Sequence, residues 1–311
     1  MEYKEFFDKI YNFTKKEKTL EELCSLLEMK DYEVLGLINL MKENGYIIDY
    51  VDGKIIQTQQ DLTNKEGFFI PKDKKHVKFL ALSDTHLGSK WDNVKLIEHA
   101  YELAEKEGCD FVTHSGDILE GDFHGKRPDH IYQVRKLGME QVEYAIDKYP
   151  KSKLTTYFIT GNHDATFIKT CGADVGKMVS KERPELVYLG QDLADLKFER
   201  LKLRLRHGAG SASYSRSYKL QKYCETIPVN EIPSMILQGH FHYSGYFKNR
   251  DIYCINVPSL QGYTPFAKAM GMDSEMGFWL VDVYTDDKGN ITHLSPELYS
   301  FYDQKILKRK R

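Results

Sequence analysis

Along this 311-residue chain, apolar positions recur first at helical spacing and later in short strand-like runs separated by helical stretches. Over residues 2–13, Tyr3, Phe6, Phe7, Ile10 and Phe13 fall on one helical face and predict a first helix. Thr19 with Glu22 reads as a capping box opening a second, through Leu20, Leu23, Leu26 and Leu27. Asp31 caps a third over Val34, Leu35, Ile38, Leu40 and Met41, and Asn44-Gly45 supplies its left-handed exit. The runs 46–51 and 54–58 flank Asp52-Gly53, a two-residue hairpin signal.

Three helices and a terminal hairpin over residues 1–58 resemble a winged-helix domain in shape, which would place the helix from Asp31 in a DNA major groove. Charge opposes that use. Residues 1–72 hold ten Lys and no Arg against fourteen acidic residues, a net of −4, whereas phosphate neutralisation supplies most non-specific DNA affinity. A protein contact or self-association is therefore the favoured role for this segment, with DNA binding kept open by Lys15, Lys16 and Lys18. Residues 59–75 are polar, carry the breakers Gly67 and Pro71, and read as a linker.

From Val77 the pattern becomes strand, helix, strand, as in 94–106 and 134–149, which predicts an α/β layered catalytic domain over 76–303. A basic tail, 304–311, follows and reads as a solvated end. The chain is 41% hydrophobic and 29% charged, enough for ordinary cores, and its net charge of −2 announces no polyanion partner in bulk. Five scattered cysteines without a Cys-x-x-Cys pair disfavour disulfides and a thiolate metal site. No run approaches the roughly 18 apolar residues of a membrane span, and the N-terminus lacks a signal pattern, so a cytoplasmic, membrane-free protein is expected.

The chemistry sits where apolar runs stop. Val77, Phe79, Ala81 and Leu82 lead into Asp84-x-His86, a spacing that can put an acid and an imidazole on one metal ion. Four further runs end similarly, at Gly116-Asp117, Gly161-Asn162-His163-Asp164, His207-Gly208 and Gly239-His240-x-His242. Singly, each is more often a turn or a satisfied histidine than a ligand. Jointly they place five Asp, Asn and His clusters at strand carboxyl ends, where α/β sheets bind ligands. Mixed carboxylate and imidazole donors suit Mn²⁺, Fe, Zn²⁺ or Mg²⁺.

Those five motifs, in that order over 76–285, resemble the calcineurin-like metallophosphoesterase superfamily. The resemblance implies two facing β-sheets flanked by helices and two divalent ions, Mn²⁺ foremost. One ion would be held by Asp84, His86, Asp117 and His242, and the other by Asp117, Asn162, His207 and His240, with Asp117 bridging. His163 would touch the phosphate and Asp164 would orient it. Phosphoester hydrolysis would proceed by direct in-line attack of a metal-bridging water, without a phosphoenzyme.

The repair-nuclease branch of this superfamily often carries a histidine three residues past the bridging acid, and here Glu120 stands there, a candidate for holding a ligand. His124, Arg127 and Arg216 are the candidate substrate contacts, while Tyr214 and Tyr218 read as packing residues of a helix. A nucleic-acid phosphodiesterase, DNA or RNA, is the leading reading. A phosphomonoesterase acting on a nucleotide, small molecule or protein is the second, and a non-catalytic scaffold of this fold the third.

Overall fold

The structure is a computed structural model and describes residues 4–14, 18–43, 48–51, 53–56, 69–70, 75–123, 128–198, 201–286 and 290–301. The chain divides into two compact units, Met1–Leu62 and Thr63–Arg311.

In the first unit α1 (Lys4–Phe13) is followed by β1 (Lys18–Thr19), α2 (Leu20–Leu27), α3 (Asp31–Glu43), β2 (Asp49–Val51) and β3 (Lys54–Ile56). The capping box forms: the Glu22 amide donates to Thr19 Oγ1 at 3.2 Å, and the Thr19 amide donates to Glu22 Oε2 at 2.8 Å. Phe7, Ile10, Leu23, Val34, Ile38, Met41 and Ile55 pack into one small core. Two details differ from the sequence pattern. Phe6 lies on the exposed side of α1, and the extended residues entering the α2 cap form β1, which pairs antiparallel with β3 and makes a sheet ordered β1-β3-β2. The Asn44-Gly45 exit lies outside the described residues.

The second unit contains β4 (Phe69–Ile70), β5 (His76–Leu82), α4 (Val94–Lys106), β6 (Phe111–Ser115), α5 (Glu140–Lys148), β7 (Thr156–Thr160), α6 (Ala165–Cys171), α7 (Val175–Glu182), β8 (Leu186–Gln191), β9 (Leu193–Phe198) and β10 (Leu201–His207). Then come α8 (Tyr218–Thr226), β11 (Met235–Gly239), β12 (Gly245–Asn249), β13 (Ile252–Asn256), α9 (Pro265–Ala269), β14 (Met276–Thr285) and β15 (Ile291–Phe301). These strands build two six-stranded sheets, ordered β15-β14-β5-β6-β7-β8 and β12-β13-β11-β10-β9-β4.

Strand alternation makes the layers. On β5, Val77, Phe79 and Ala81 join Leu203, Leu205, Leu237 and Ile255 of the other sheet in one core, so this face is the interface between sheets. Leu80 and Leu82, on the opposite face of β5, pack with Leu96, Ile97 and Ala100 of α4 and Val142 of α5. A smaller core of Leu220, Cys224, Ile236 and Cys254 seats α8 on the outer face of the second sheet. Helix, sheet, sheet, helix is the four-layer α/β sandwich that the motifs imply.

One part of the 59–75 stretch is not linker: Phe69–Ile70 pairs in parallel with β9 as an edge strand, because β9 otherwise offers an unpaired row of amides and carbonyls. The rest of that stretch up to residue 74, and the basic tail, lie outside the described residues. Of the free thiols, Cys109, Cys224 and Cys254 are buried, whereas Cys171 is exposed rather than in a core. Among the described residues no helix is long and apolar enough to cross a membrane.

Candidate metal centre and active site

Strands β5, β6 and β7 lie side by side in parallel in one sheet, and β10 and β11 are parallel neighbours in the other, with His207 opposite Gly239. All five end at the same edge of the sandwich, and the loops beyond them meet. Asp84 Oδ1 is 3.1 Å from His242 Nε2 and 3.8 Å from His86 Nε2. Asp117 Oδ2 is 3.0 Å from His207 Nε2, which lies 3.1 Å from Asn162 Oδ1 and 3.2 Å from His240 Nδ1. Three sets of donors are close enough to share a cation: Asp84, His86 and His242; His86, Asp117 and His163; and Asp117, His207 and His240. His86 and Asp117 each belong to two sets, so the groups form one continuous constellation.

The backbone is bent to achieve this. Asp84, His86, Asp117, His240 and His242 all have left-handed φ, between +44° and +84°, a region that non-glycine residues seldom adopt. Each such residue costs on the order of 1–3 kcal/mol, retained only where the surroundings over-determine it. Here cross-loop bonds do so: the Asp84 amide donates to the Gly116 carbonyl at 2.9 Å and the His86 amide to the Asp117 carbonyl at 3.2 Å. Two glycines leave the room. A Cβ on Gly161 would sit 2.7 Å from the His207 ring, and one on Gly239 would sit 2.7 Å from Asp84 Oδ2.

A shell of partners orients the donors. His207 Nδ1 donates to the Ser115 carbonyl at 2.8 Å, which turns Nε2 toward Asp117 and Asn162. The Asp84 carbonyl accepts from Ser259 Oγ and the Leu260 amide, so the loop after β13 carries Asp84 from behind. Glu120 is nearly buried; its Oε2 lies 3.4 Å from His86 Nδ1 and accepts from Gln261 Nε2 at 2.7 Å, while Oε1 lies 3.2 Å from His130 Nε2. The Glu120 carboxylate thus reaches the ring nitrogen of His86 that points away from Asp84 and His242.

His163 and Asp164 divide their work differently from the expectation. His163 Nδ1 donates to the Glu120 carbonyl at 2.5 Å, leaving Nε2 free, and its amide donates to Asp117 Oδ1 at 2.8 Å. Asp164 does not orient that ring. Its carboxylate accepts from the amides of Ile118, Leu119 and Gly161 at 3.2, 2.9 and 2.9 Å, because it starts α6 beneath the loop that follows Asp117. Asp164 is therefore a buried tie between two ligand loops.

Electrostatics follow from crowding. Burial would raise the Asp84 carboxyl, but His242 and His86 outweigh it and hold the group well below the carboxylate range. Asp117 and Glu120 are likewise held low by histidines against the effect of burial. Burial would lower His207, but Asp117 raises it to about 9, whereas burial dominates at His163 and brings it down to about 4. Burial and the Asp117 charge push Asp164 up, against three amide donors that favour its ionised form.

The donor set fits divalent cations. Asp84 Oδ1 is buried without a hydrogen-bond partner, and His86 Nε2 faces His242 Nε2 at 3.1 Å, two imidazole nitrogens of which neither is paired by a carbonyl. A cation coordinated by both nitrogens and that oxygen would satisfy all three.

Among the candidate substrate contacts, His124 and Arg127 lie outside the described residues. Arg216 is not a free cation: Asp273 and Glu275 pair with it, and its guanidinium lies over the Tyr243 ring at 5.4 Å. Tyr214 is fully exposed in the loop before α8, and Tyr218, the first residue of α8, is half exposed, so neither is the packed face their spacing suggests. Gln261 and His130 were not singled out by the sequence. Their only signal is chemical type, since the contacts to Glu120 arise from folding.

Among proteins with curated descriptions none matches this sequence. Similar solved structures include an archaeal phosphodiesterase, 16% identical, covering 72% of this chain and 100% of that one with a TM-score of 0.43. They also include Vps29 of Entamoeba histolytica complexed with zinc (13% identity, 72% and 99% coverage, TM-score 0.37). A third is a 5'-nucleotidase precursor of Thermus thermophilus (11% identity, 73% and 54% coverage, TM-score 0.38). The family described as "Calcineurin-like phosphoesterase superfamily domain" matches residues 77–273, a span that contains every donor of the constellation. The chain accordingly belongs to the calcineurin-like phosphoesterase superfamily, whose chemistry is metal-dependent phosphoester hydrolysis.

Proposed function

We propose that this chain is a two-metal phosphodiesterase that hydrolyses phosphodiesters of nucleic-acid type. The observation that carries the reading is the continuous constellation in which Asp117 is shared between donor sets built from both sheets. Asp84, His86 and His242 would hold one cation, Asn162, His207 and His240 the other, and Asp117 both. Bound there, two divalent cations would lower the pKa of a water and offset charge on phosphate oxygens. The chain's own contribution is positional and protonic. His163 Nδ1–H is committed to the Glu120 carbonyl and burial favours the neutral ring, so Nε2 is the atom that would accept a proton from the attacking water and pass it to the leaving oxygen.

A diester fits this site better than a monoester. Among the described residues no Lys or Arg side chain pairs with Asp84, Asp117 or Glu120, and Arg216 is already taken by two carboxylates. A monoanionic diester needs less compensating charge than a dianionic monoester. The test is Mn²⁺-dependent turnover of bis(p-nitrophenyl) phosphate beside p-nitrophenyl phosphate, repeated with single-stranded and duplex DNA and with RNA. Preference for the diester with cleavage of a nucleic acid is expected. Preference for the monoester with inert nucleic acids would overturn the reading in favour of a phosphomonoesterase, and inactivity on all substrates with two metals bound would favour a scaffold.

A further inference from the structure

Beside the constellation lies a cavity of about 480 Å³, within the usual range for small-ligand sites, with the aromatic residues Trp91, Tyr263 and Phe301 among those that line it. Its polar lining includes Gln261, Asp273 and Glu275. Two bonds join this wall to the candidate site. Gln261 donates to the Glu120 carboxylate that reaches His86, and the Glu275 amide donates to the His242 carbonyl at 2.6 Å; Leu260, next in the chain to Gln261, donates its amide to the Asp84 carbonyl at 3.1 Å. The cavity therefore flanks the donor set of Asp84, His86 and His242. Its wall is braced, since the Gly262 amide donates to the Trp91 carbonyl at 2.8 Å and the Tyr263 hydroxyl to the Met272 carbonyl at 3.1 Å.

The geometry points to this cavity as the subsite for a planar, uncharged nucleobase of the phosphodiester, an inference that rests on the phosphodiesterase reading. Charge decides which part of the substrate enters. Asp273 and Glu275 share the one cation Arg216, so this wall keeps a net negative charge that disfavours a phosphate, whose place is on the cations, and the largely exposed Asp273 can still accept from a ring N–H or exocyclic amine. The rings decide the shape. Aromatic faces bind bases by stacking regardless of sequence, and Tyr263 is half exposed, available to a ligand without disrupting a core. Gln261 adds specificity: Nε2 is committed to Ser89 and Glu120, which leaves Oε1 to accept from a ligand.

Two readouts test this, one of which needs no turnover. The sequence has two tryptophans, and Trp279 is buried with its indole N–H donated to the Asn256 carbonyl, so a ligand that changes fluorescence acts on Trp91. Adenosine and thymidine, which carry no phosphate, should quench the fluorescence saturably, and Tyr263→Ala should weaken that quenching while Tyr263→Phe, which loses the same hydroxyl brace and keeps the ring, retains it. For catalysis, thymidine 5'-(p-nitrophenyl phosphate) is compared with methyl p-nitrophenyl phosphate, which shares the leaving group and lacks a base. Wild type should prefer the nucleoside ester, and Trp91→Ala or Tyr263→Ala should cut the ratio of the two kcat/KM values by roughly 5- to 100-fold. Hydrolysis of both esters with no preference and no quenching would overturn the subsite while leaving the phosphodiesterase reading standing. An equal loss on both esters would likewise overturn it, as the sign of a merely structural role. Saturable quenching without hydrolysis of either ester would sustain base binding and sink the activity on which the substrate assignment rests.

Discussion

At the scale of single residues, the constellation separates groups that would hold cations from groups that position them. His163 is tied through Nδ1 to the Glu120 carbonyl and through its amide to Asp117, so removing its ring takes no oxygen or nitrogen from Asp84, Asn162, His207, His240 or His242. His163→Ala is expected to keep two metals per chain by elemental analysis while kcat falls by about 10²–10⁴; loss of a metal would reassign His163 as a ligand. Glu120 is the converse case. Its carboxylate stands 3.4 Å from His86 Nδ1 and is itself held by His130 and Gln261, an arrangement that favours the ring with Nδ1 protonated and Nε2 toward the cation. Glu120→Gln should weaken Mn²⁺ binding by about 10- to 100-fold in calorimetric titration. Unchanged affinity would show that the contact orients nothing.

At the scale of elements, the site is made of strand-to-loop transitions rather than strands. Five candidate ligands take left-handed backbone immediately after or opposite a strand end, and two glycines let the neighbouring loops close over them. Gly161 tests whether that closure matters. In Gly161→Ala the new methyl would lie 2.7 Å from the His207 ring and also against Asp117, with no flexible chain end to yield. The variant should bind fewer than two metals and lose most turnover while keeping the wild-type circular dichroism. Full occupancy would mean the loop can retreat without cost. The same scale explains two departures from the sequence pattern, since β4 forms where β9 needs an edge partner and the Tyr214 loop is held by Arg216 pairing rather than by helix packing.

At the scale of the whole molecule, the second unit closes over titratable groups that its interior must keep neutral. His114, on β6, is fully buried beside Thr85 and near Asp84, His207, Asp117 and His86; burial brings its pKa down to about 3. Its folded value lies below the unfolded value of about 6.5, so the unfolded chain binds the extra proton in between. The stability His114 confers is thus complete above about pH 6.5 and is lost as pH falls toward 3. Urea unfolding of the metal-free protein should show that slope, and His114→Gln should flatten it. An equal slope in the variant would place the acid sensitivity elsewhere.

Much of this was legible in the chain because it is local. Period-two runs that stop at Asp, Asn, His and Gly set the ligand types and their order, alternation on β5 set which face meets the other sheet, and Thr19 with Glu22 set a helix start. These depend on neighbours a few residues apart, whose side-chain directions follow from backbone geometry alone. The rest waited for contacts between distant residues. Gln261 reaches Glu120 across 141 positions and Asp273 reaches Arg216 across 57, so the partner of Glu120 and the loss of Arg216 as a free cation have no local signature. The exchange of roles at Asp164, from orienting His163 to tying three amides, is of the same kind. Sequence by itself determined which groups are available for metal chemistry; only the tertiary structure decided which of them converge and what holds them, because convergence is set by how two sheets pack, and no short stretch of chain carries that information.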